Sequence, residues 1–164
     1  MTQGSASLTI TPAPVKKSVS INATPEHAFR VFSERFDSWW PRSHSIGDSP
    51  LKEAVIEPKV GGRWYGKLEN GTEAEWGDVL AWEPPRRLLL AWRIAADWKY
   101  DPDLTTEVEI TFTPEVGGAT RVELEHRHLE RMGAAGEGMR EAFDSDGGWS
   151  GLLKAFAELA EQPS

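Results

Sequence analysis

From Val15 the chain alternates: Val15, Lys17, Val19 and Ile21 fall on one side, and Lys16, Ser18 and Ser20 on the other. That period of two predicts a strand with one buried face, Lys17 lying near its end. Asn22 to Glu26 has the chemistry of a helix start, with Thr24 to cap free amides, Pro25 at the first helical position and Glu26 favourable to the dipole. Ala28, Phe29, Phe32 and Phe36 follow at helical spacing, and Pro41 stops the segment after Trp39 and Trp40. Two short helices are the expected outcome.

Between Pro50 and Leu129 the pattern is strand and turn, broken at Gly61-Gly62, Asn70-Gly71, Pro84-Pro85, Asp101-Pro102 and Gly117-Gly118. Asn-Gly and Gly-Gly pairs supply the positive φ angles of tight hairpins, so consecutive strands are expected as antiparallel neighbours in a meander. Leu88, Leu90, Trp92 and Ile94 share one face, as do Val108, Ile110 and Phe112, while Glu107, Glu109, Thr111 and Thr113 face solvent. Met139, Phe143, Trp149, Leu152, Leu153, Phe156 and Leu159 then recur at three and four, with Lys154, Glu158 and Glu161 between them. Gly147-Gly148 interrupts this stripe, which predicts a short helix to about Phe143 and a longer closing one from about Trp149. Residues 1–14, rich in Thr, Ser, Ala and Pro, read as a loose tail with neither the basic start of a signal peptide nor an apolar membrane run. Residues 15–161 read as a single domain.

The chain has 164 residues, 39% hydrophobic and 27% charged, enough for one ordinary core. Eighteen Lys and Arg against 26 Asp and Glu leave a net charge of -8, which repels nucleic acid and anionic membrane, so neither is an expected partner. Arg63, Lys67, Arg86, Arg87 and Arg93 are interspersed with acids and are expected on the outer face or at turns. The absence of cysteine excludes a disulfide, a thiolate zinc site and a cysteine nucleophile, and fits a cytoplasmic location. No phosphate loop, nucleophile elbow or His-Glu-x-x-His motif occurs, and no cofactor is expected.

Several spaced motifs carry a family resemblance: Ser38 to Gly47 (Ser-Trp-Trp-Pro-Arg-Ser-His-Ser-Ile-Gly), Gly61 to Tyr65 (Gly-Gly-Arg-Trp-Tyr), Trp76-Gly77 followed by Ala81 to Leu88, Tyr100 to Asp103, Glu125 to Arg131, and Gly148-Trp149. In these the chain, from about Val15 to Leu159, resembles the Aha-type family, the activator of heat-shock-protein ATPase homologues. That family belongs to the START-like superfamily together with Bet v allergens and polyketide cyclases. The later half is also similar to a self-resistance member whose cavity takes up a large natural product. The resemblance implies an α+β helix-grip fold: a curved antiparallel sheet of about six or seven strands wrapped around a long C-terminal helix, with two short helices after the first strand.

Eight tryptophans in such a chain either pack a core or line a cavity. In the cavity reading Trp64, Trp76 and Trp92 on the concave face, with Ile110 and with Trp149 and Leu153 from the closing helix, surround a small apolar or aromatic ligand. Alternation through Val122, Leu124, His126 and His128 puts both imidazoles on the same face, where they serve as hydrogen-bonded core groups, as cavity recognition or proton-transfer groups, or as metal ligands. A metal would need a third ligand, for which His27, His44, Glu57 and Asp78 are the candidates, and none is expected. Asp78 shares parity with Trp76, Leu80 and Trp82; it points inward as a base, or a bulge at Gly77 turns it to water. Three functions compete. The first is a small-molecule binder, and the second a cyclase or hydrolase using His126 or His128 with Asp78. The third is a chaperone-associated module, suggested by the acidic part after Leu129, where Glu130, Glu137, Glu141, Asp144, Asp146, Glu158 and Glu161 face only Arg131, Arg140 and Lys154.

Overall fold

The described residues form seven strands: β1 (Val15–Ile21), β2 (Leu51–Ile56), β3 (Arg63–Leu68), β4 (Glu73–Glu83), β5 (Arg87–Trp92), β6 (Thr106–Pro114) and β7 (Thr120–Arg127). They form one antiparallel sheet in the order β1-β7-β6-β5-β4-β3-β2, the meander closed by β1 returning beside β7. The computed structural model describes residues 12–162. Most of the expected tail therefore lies outside the described residues; within them Pro12 is buried and the Ala13 carbonyl accepts from Arg140 Nε at 2.8 Å.

Between β1 and β2 run α1 (Pro25–Ser33) and α2 (Phe36–Trp39). The start of α1 forms as its sequence dictates, with Thr24 Oγ1 accepting from the His27 amide at 3.1 Å and Pro25 in the first turn. After β7 a 3-10 segment (Leu129–Ala135) leads into α3 (Gly136–Asp144), and α4 (Trp149–Ala160) closes the described chain. Gly148 makes the α3–α4 turn possible, because a Cβ there would lie 2.3 Å from the Phe143 carbonyl oxygen. Helix α4 buries Trp149, Leu152, Leu153, Phe156, Ala157 and Ala160 against β1, α1 and α2. Each large side chain in that row contributes about 1.5–3 kcal/mol. This is the helix-grip fold, an α+β arrangement in which a curved sheet holds the last helix.

Strand β4 departs from simple alternation twice. Trp76 is the extra residue where Trp64 pairs with Gly77 and Tyr65 with Glu75, and Leu80 is extra where Val79 pairs with Leu90 and Ala81 with Leu89. The first bulge puts Ala74, Trp76 and Val79 inside and leaves Asp78 half-buried on the outer side. Only glycine fits at position 77, since a Cβ would stand 1.7 Å from the Ala91 carbonyl oxygen. Asp78 there accepts from Arg93 Nε at 2.7 Å, so the outward reading holds and the inward base does not. Arg63, Lys67, Arg86 and Arg87 likewise lie against carboxylates, Glu73, Glu53, Glu83 and Glu109 among them. No helix among the described residues is long and apolar enough to cross a membrane.

Candidate ligand-binding site

At one end of the grip, around the start of α4, a cavity of about 380 Å³ opens between the sheet, the helices and the loop after α2. Its inner walls are Trp40, Trp76, Trp92, Phe143, Trp149 and Leu152; Ser43, His44, Ser45, Trp98 and Ser145 stand around the mouth. Flat, stiff rings meet edge to face around it, Trp92 at 6.1 Å from Trp149 and 5.2 Å from Phe143.

Three of the wall indoles are fixed by their own N–H groups. Trp40 Nε1 donates to the His44 carbonyl at 2.7 Å, Trp92 Nε1 to the Ile94 carbonyl at 3.0 Å, and Trp149 Nε1 to His126 Nδ1 at 3.1 Å. The polar atom of each ring is thereby used up within the protein, and apolar ring surface is what remains for the cavity. Trp76 differs: its Nε1, like that of Trp64 behind it, is buried without a hydrogen-bond partner.

His126 is fully buried between Val15 of β1 and Val108 of β6 in register. Its Nδ1 accepts from Trp149, so Nε2 carries the proton and donates to Thr106 Oγ1 at 2.9 Å, and the Thr106 hydroxyl in turn donates to the Trp92 carbonyl at 3.1 Å. The ring stacks on Phe143 at 4.5 Å. Burial pushes its pKa down to about 3, so the imidazole stays neutral and both nitrogens are occupied. It ties the first residue of α4 to two strands, as a structural hydrogen-bonding group beneath the cavity wall.

The mouth is pinned from both sides. Asp37 Oδ1 accepts from the Ala54 amide at 2.8 Å and from Arg42 Nη1 at 2.7 Å, anchoring α2 to β2. Burial alone would raise the Asp37 pKa, but these two donors hold it below the usual carboxylate range. The loop that follows carries His44, whose Nε2 lies 2.7 Å from the Gly147 carbonyl oxygen across the opening, with Ser43 Oγ at 3.0 Å from Nδ1.

Of the eight residues expected to bind ligand, the structure brings Trp76, Trp92 and Trp149 to the cavity. Trp64, Ile110, His126 and Leu153 are buried behind its wall, and Leu152 takes the place expected for Leu153. His128 corrects the expectation of two inward imidazoles. Strand β7 ends at Arg127, His128 adopts φ 67°, and its half-exposed ring faces Glu107 and Glu130 instead. The acid–base set of His126, His128 and Asp78 is therefore not assembled. Nor are the candidate third metal ligands: His27 Nε2 lies 3.0 Å from the Ala160 carbonyl oxygen and Glu57 accepts from the Arg63 amide, both far from His126 in the topology. Sequence reasoning missed Trp40, Trp98 and Phe143 as site residues and weighed His44 only as a metal ligand. Trp40, His44 and Trp98 lie outside strands and helices of regular period, though the dense Trp-Trp-Pro-x-x-His run was a visible signal.

The family described as Activator of Hsp90 ATPase homolog 1-like protein matches residues 22–161. Among solved structures, the chain is 39% identical to the anthrahydroquino-γ-pyrone synthase Txn09, with a TM-score of 0.64 over 91% of this chain and 97% of that one. It is 32% identical to CalC, a self-sacrificing resistance protein from Micromonospora echinospora, with a TM-score of 0.68 over 92% and 94% of the two chains. Protein MLL2253 from Mesorhizobium loti shares the fold at 23% identity and a TM-score of 0.61, over 93% and 99%. No curated protein matches the chain.

Proposed function

We propose, from the premise that this chain belongs to the Activator of Hsp90 ATPase homolog 1-like family, that its cavity binds a planar, polycyclic aromatic small molecule. The observation that carries this reading is the wall itself. Trp40, Trp92 and Trp149 surround about 380 Å³ with their N–H groups turned to protein partners. That volume lies in the range of ordinary ligand sites, about 300–1,000 Å³, and an apolar lining with a few polar groups at the rim is their usual chemistry. Ser43, Ser45 and Ser145 supply those polar groups: their hydroxyl protons are used within the protein, which leaves oxygen lone pairs to accept from hydroxyl substituents at the edge of a ring system.

Two relatives above 30% identity support a natural-product ligand, since one is named a synthase of an anthrahydroquino-γ-pyrone and the other a self-sacrificing resistance protein. A bound aromatic is common to the binding and the enzymatic alternatives. With His126 sealed and neutral and Asp78 paired outside, binding is the reading that the geometry favours. Chaperone association draws support only from the family description, as Glu137, Glu141 and Glu158 are exposed on α3 and α4 like any solvated helix face.

The test is a titration with alizarin, a planar three-ring dihydroxyanthraquinone, followed by tryptophan fluorescence. Saturable quenching at one site, weakened about tenfold or more in Trp92→Ala, is expected. Quenching that never saturates, or that Trp92→Ala leaves unchanged, contradicts the proposal.

A further inference from the structure

Trp98 occupies an unusual place. It lies in the hairpin after β5, where Ile94 bridges Tyr100, the Trp98 amide donates to the Ala95 carbonyl at 2.8 Å and the Ala95 amide to the Lys99 carbonyl at 2.9 Å. The turn demands a left-handed residue at this point, and Trp98 has φ 62°. Among the described residues six glycines adopt positive φ, and besides them only Trp98 and His128 do so. Glycine takes such a position without strain, whereas a bulky aromatic there is a true outlier.

Folding does not explain the choice. Trp98 is 50% exposed, and among the described residues the aromatic ring it meets is Phe143, edge-on at 6.5 Å between centroids. It nonetheless stands at the mouth of the cavity, with apolar ring surface open to water. Strained residues of this kind concentrate at ligand clamps, where bound contacts compensate for the backbone. We infer that Trp98 is the outer clamp of the site, stacking on the part of a planar aromatic ligand that projects past Phe143.

This inference rests on the binding reading above, and it adds that flat guests are selected at the mouth. The experiment is calorimetric titration of the full chain with alizarin and with 1-adamantanol, an apolar guest that has no ring face to stack. Trp98→Gly is expected to weaken alizarin about tenfold while leaving 1-adamantanol within about twofold. Its Tm should stay within about 2 °C of the parent or rise, because the turn prefers glycine. Trp98→Phe keeps a stacking face and should bind alizarin within about threefold of the parent. Unchanged alizarin affinity in Trp98→Gly, in a parent that binds it, overturns the clamp and leaves the cavity reading standing. Equal loss of both guests together with a lowered Tm overturns it in favour of a structural tryptophan. A parent that binds neither guest overturns both readings.

Discussion

The two ends of the grip use the same kinds of residue to opposite effect. At one end α1 lies across α4, and Phe29, Phe32, Trp39, Phe112 and Phe156 interlock: Phe32 is 4.9 Å from Trp39 and 5.2 Å from Phe156, and Phe29 is 5.2 Å from Phe112. At the other end Trp40, Trp92, Phe143 and Trp149 stand around open space. The difference lies in what covers the rings. Helix α1 fills the first end, whereas at the second α3 packs Phe143 onto His126 but stops at Asp144, and the opening beyond is framed by the loop after α2, the Ser145 to Gly148 turn and the β5–β6 hairpin. Aromatic content thus does not decide between core and cavity; the covering element does.

Substitutions should separate the two ends. The largest effect is expected at the closed end: Phe156→Ala removes a fully buried ring from the interlocked set and should cost about 3–5 kcal/mol in urea denaturation. Alizarin affinity should hold at temperatures where the variant is folded. A loss of binding in step with stability would merge the two ends into one.

A smaller effect is expected at the junction between the ends. His126→Leu orphans the Trp149 indole N–H and should cost about 1–3 kcal/mol at pH 7. It should also change the response to acid. The unfolded imidazole takes up a proton near its ordinary value of 6.5, while the folded one is held at about 3 by burial, so the unfolded chain binds more protons between these values. Stability is therefore fully present above about 6.5 and falls by up to about 1.4 kcal/mol per pH unit below it. Asp37, Glu109 and Asp144, whose carboxyls are held low by their Arg, Lys and amide donors, lose stability in the same direction but only within and below the carboxylate range. Denaturation between about pH 6 and pH 5 should show the slope in the parent and a shallower one in His126→Leu. Equal slopes would remove His126 from the account. Smallest in stability is Trp98→Gly, for which almost no loss is expected although binding falls.

The same contrast marks what the sequence makes legible. The closed end is written in period: Phe29 and Phe32 at helical spacing, and Phe112 in alternation with Ile110 and Val108, read directly as buried faces. The order of elements, the hairpin turns and the Gly147-Gly148 break were equally readable, because each depends on local backbone preference. The site was only partly so. Trp76, Trp92 and Trp149 lie on periodic elements, but the Trp76 bulge reverses parity after it, which is why Asp78 and Trp76 part company. His128 escapes its face because the strand stops one residue earlier, a matter of tertiary contact that alternation does not encode. Trp40, His44 and Trp98 reach the mouth through loops, whose course is set by long-range bonds such as Asp37 to Ala54 and His44 to Gly147.

The most direct measurement uses the indole N–H signals of the eight tryptophans, recorded by proton–nitrogen correlation spectra before and after adding alizarin. Shifts are expected in Trp40, Trp76, Trp92, Trp98 and Trp149, and none in Trp39, locked onto the Val31 carbonyl at the closed end, or in Trp82 beside Phe29. Shifts at Trp39 or Trp82, or a spectrum that alizarin leaves unchanged throughout, would contradict it.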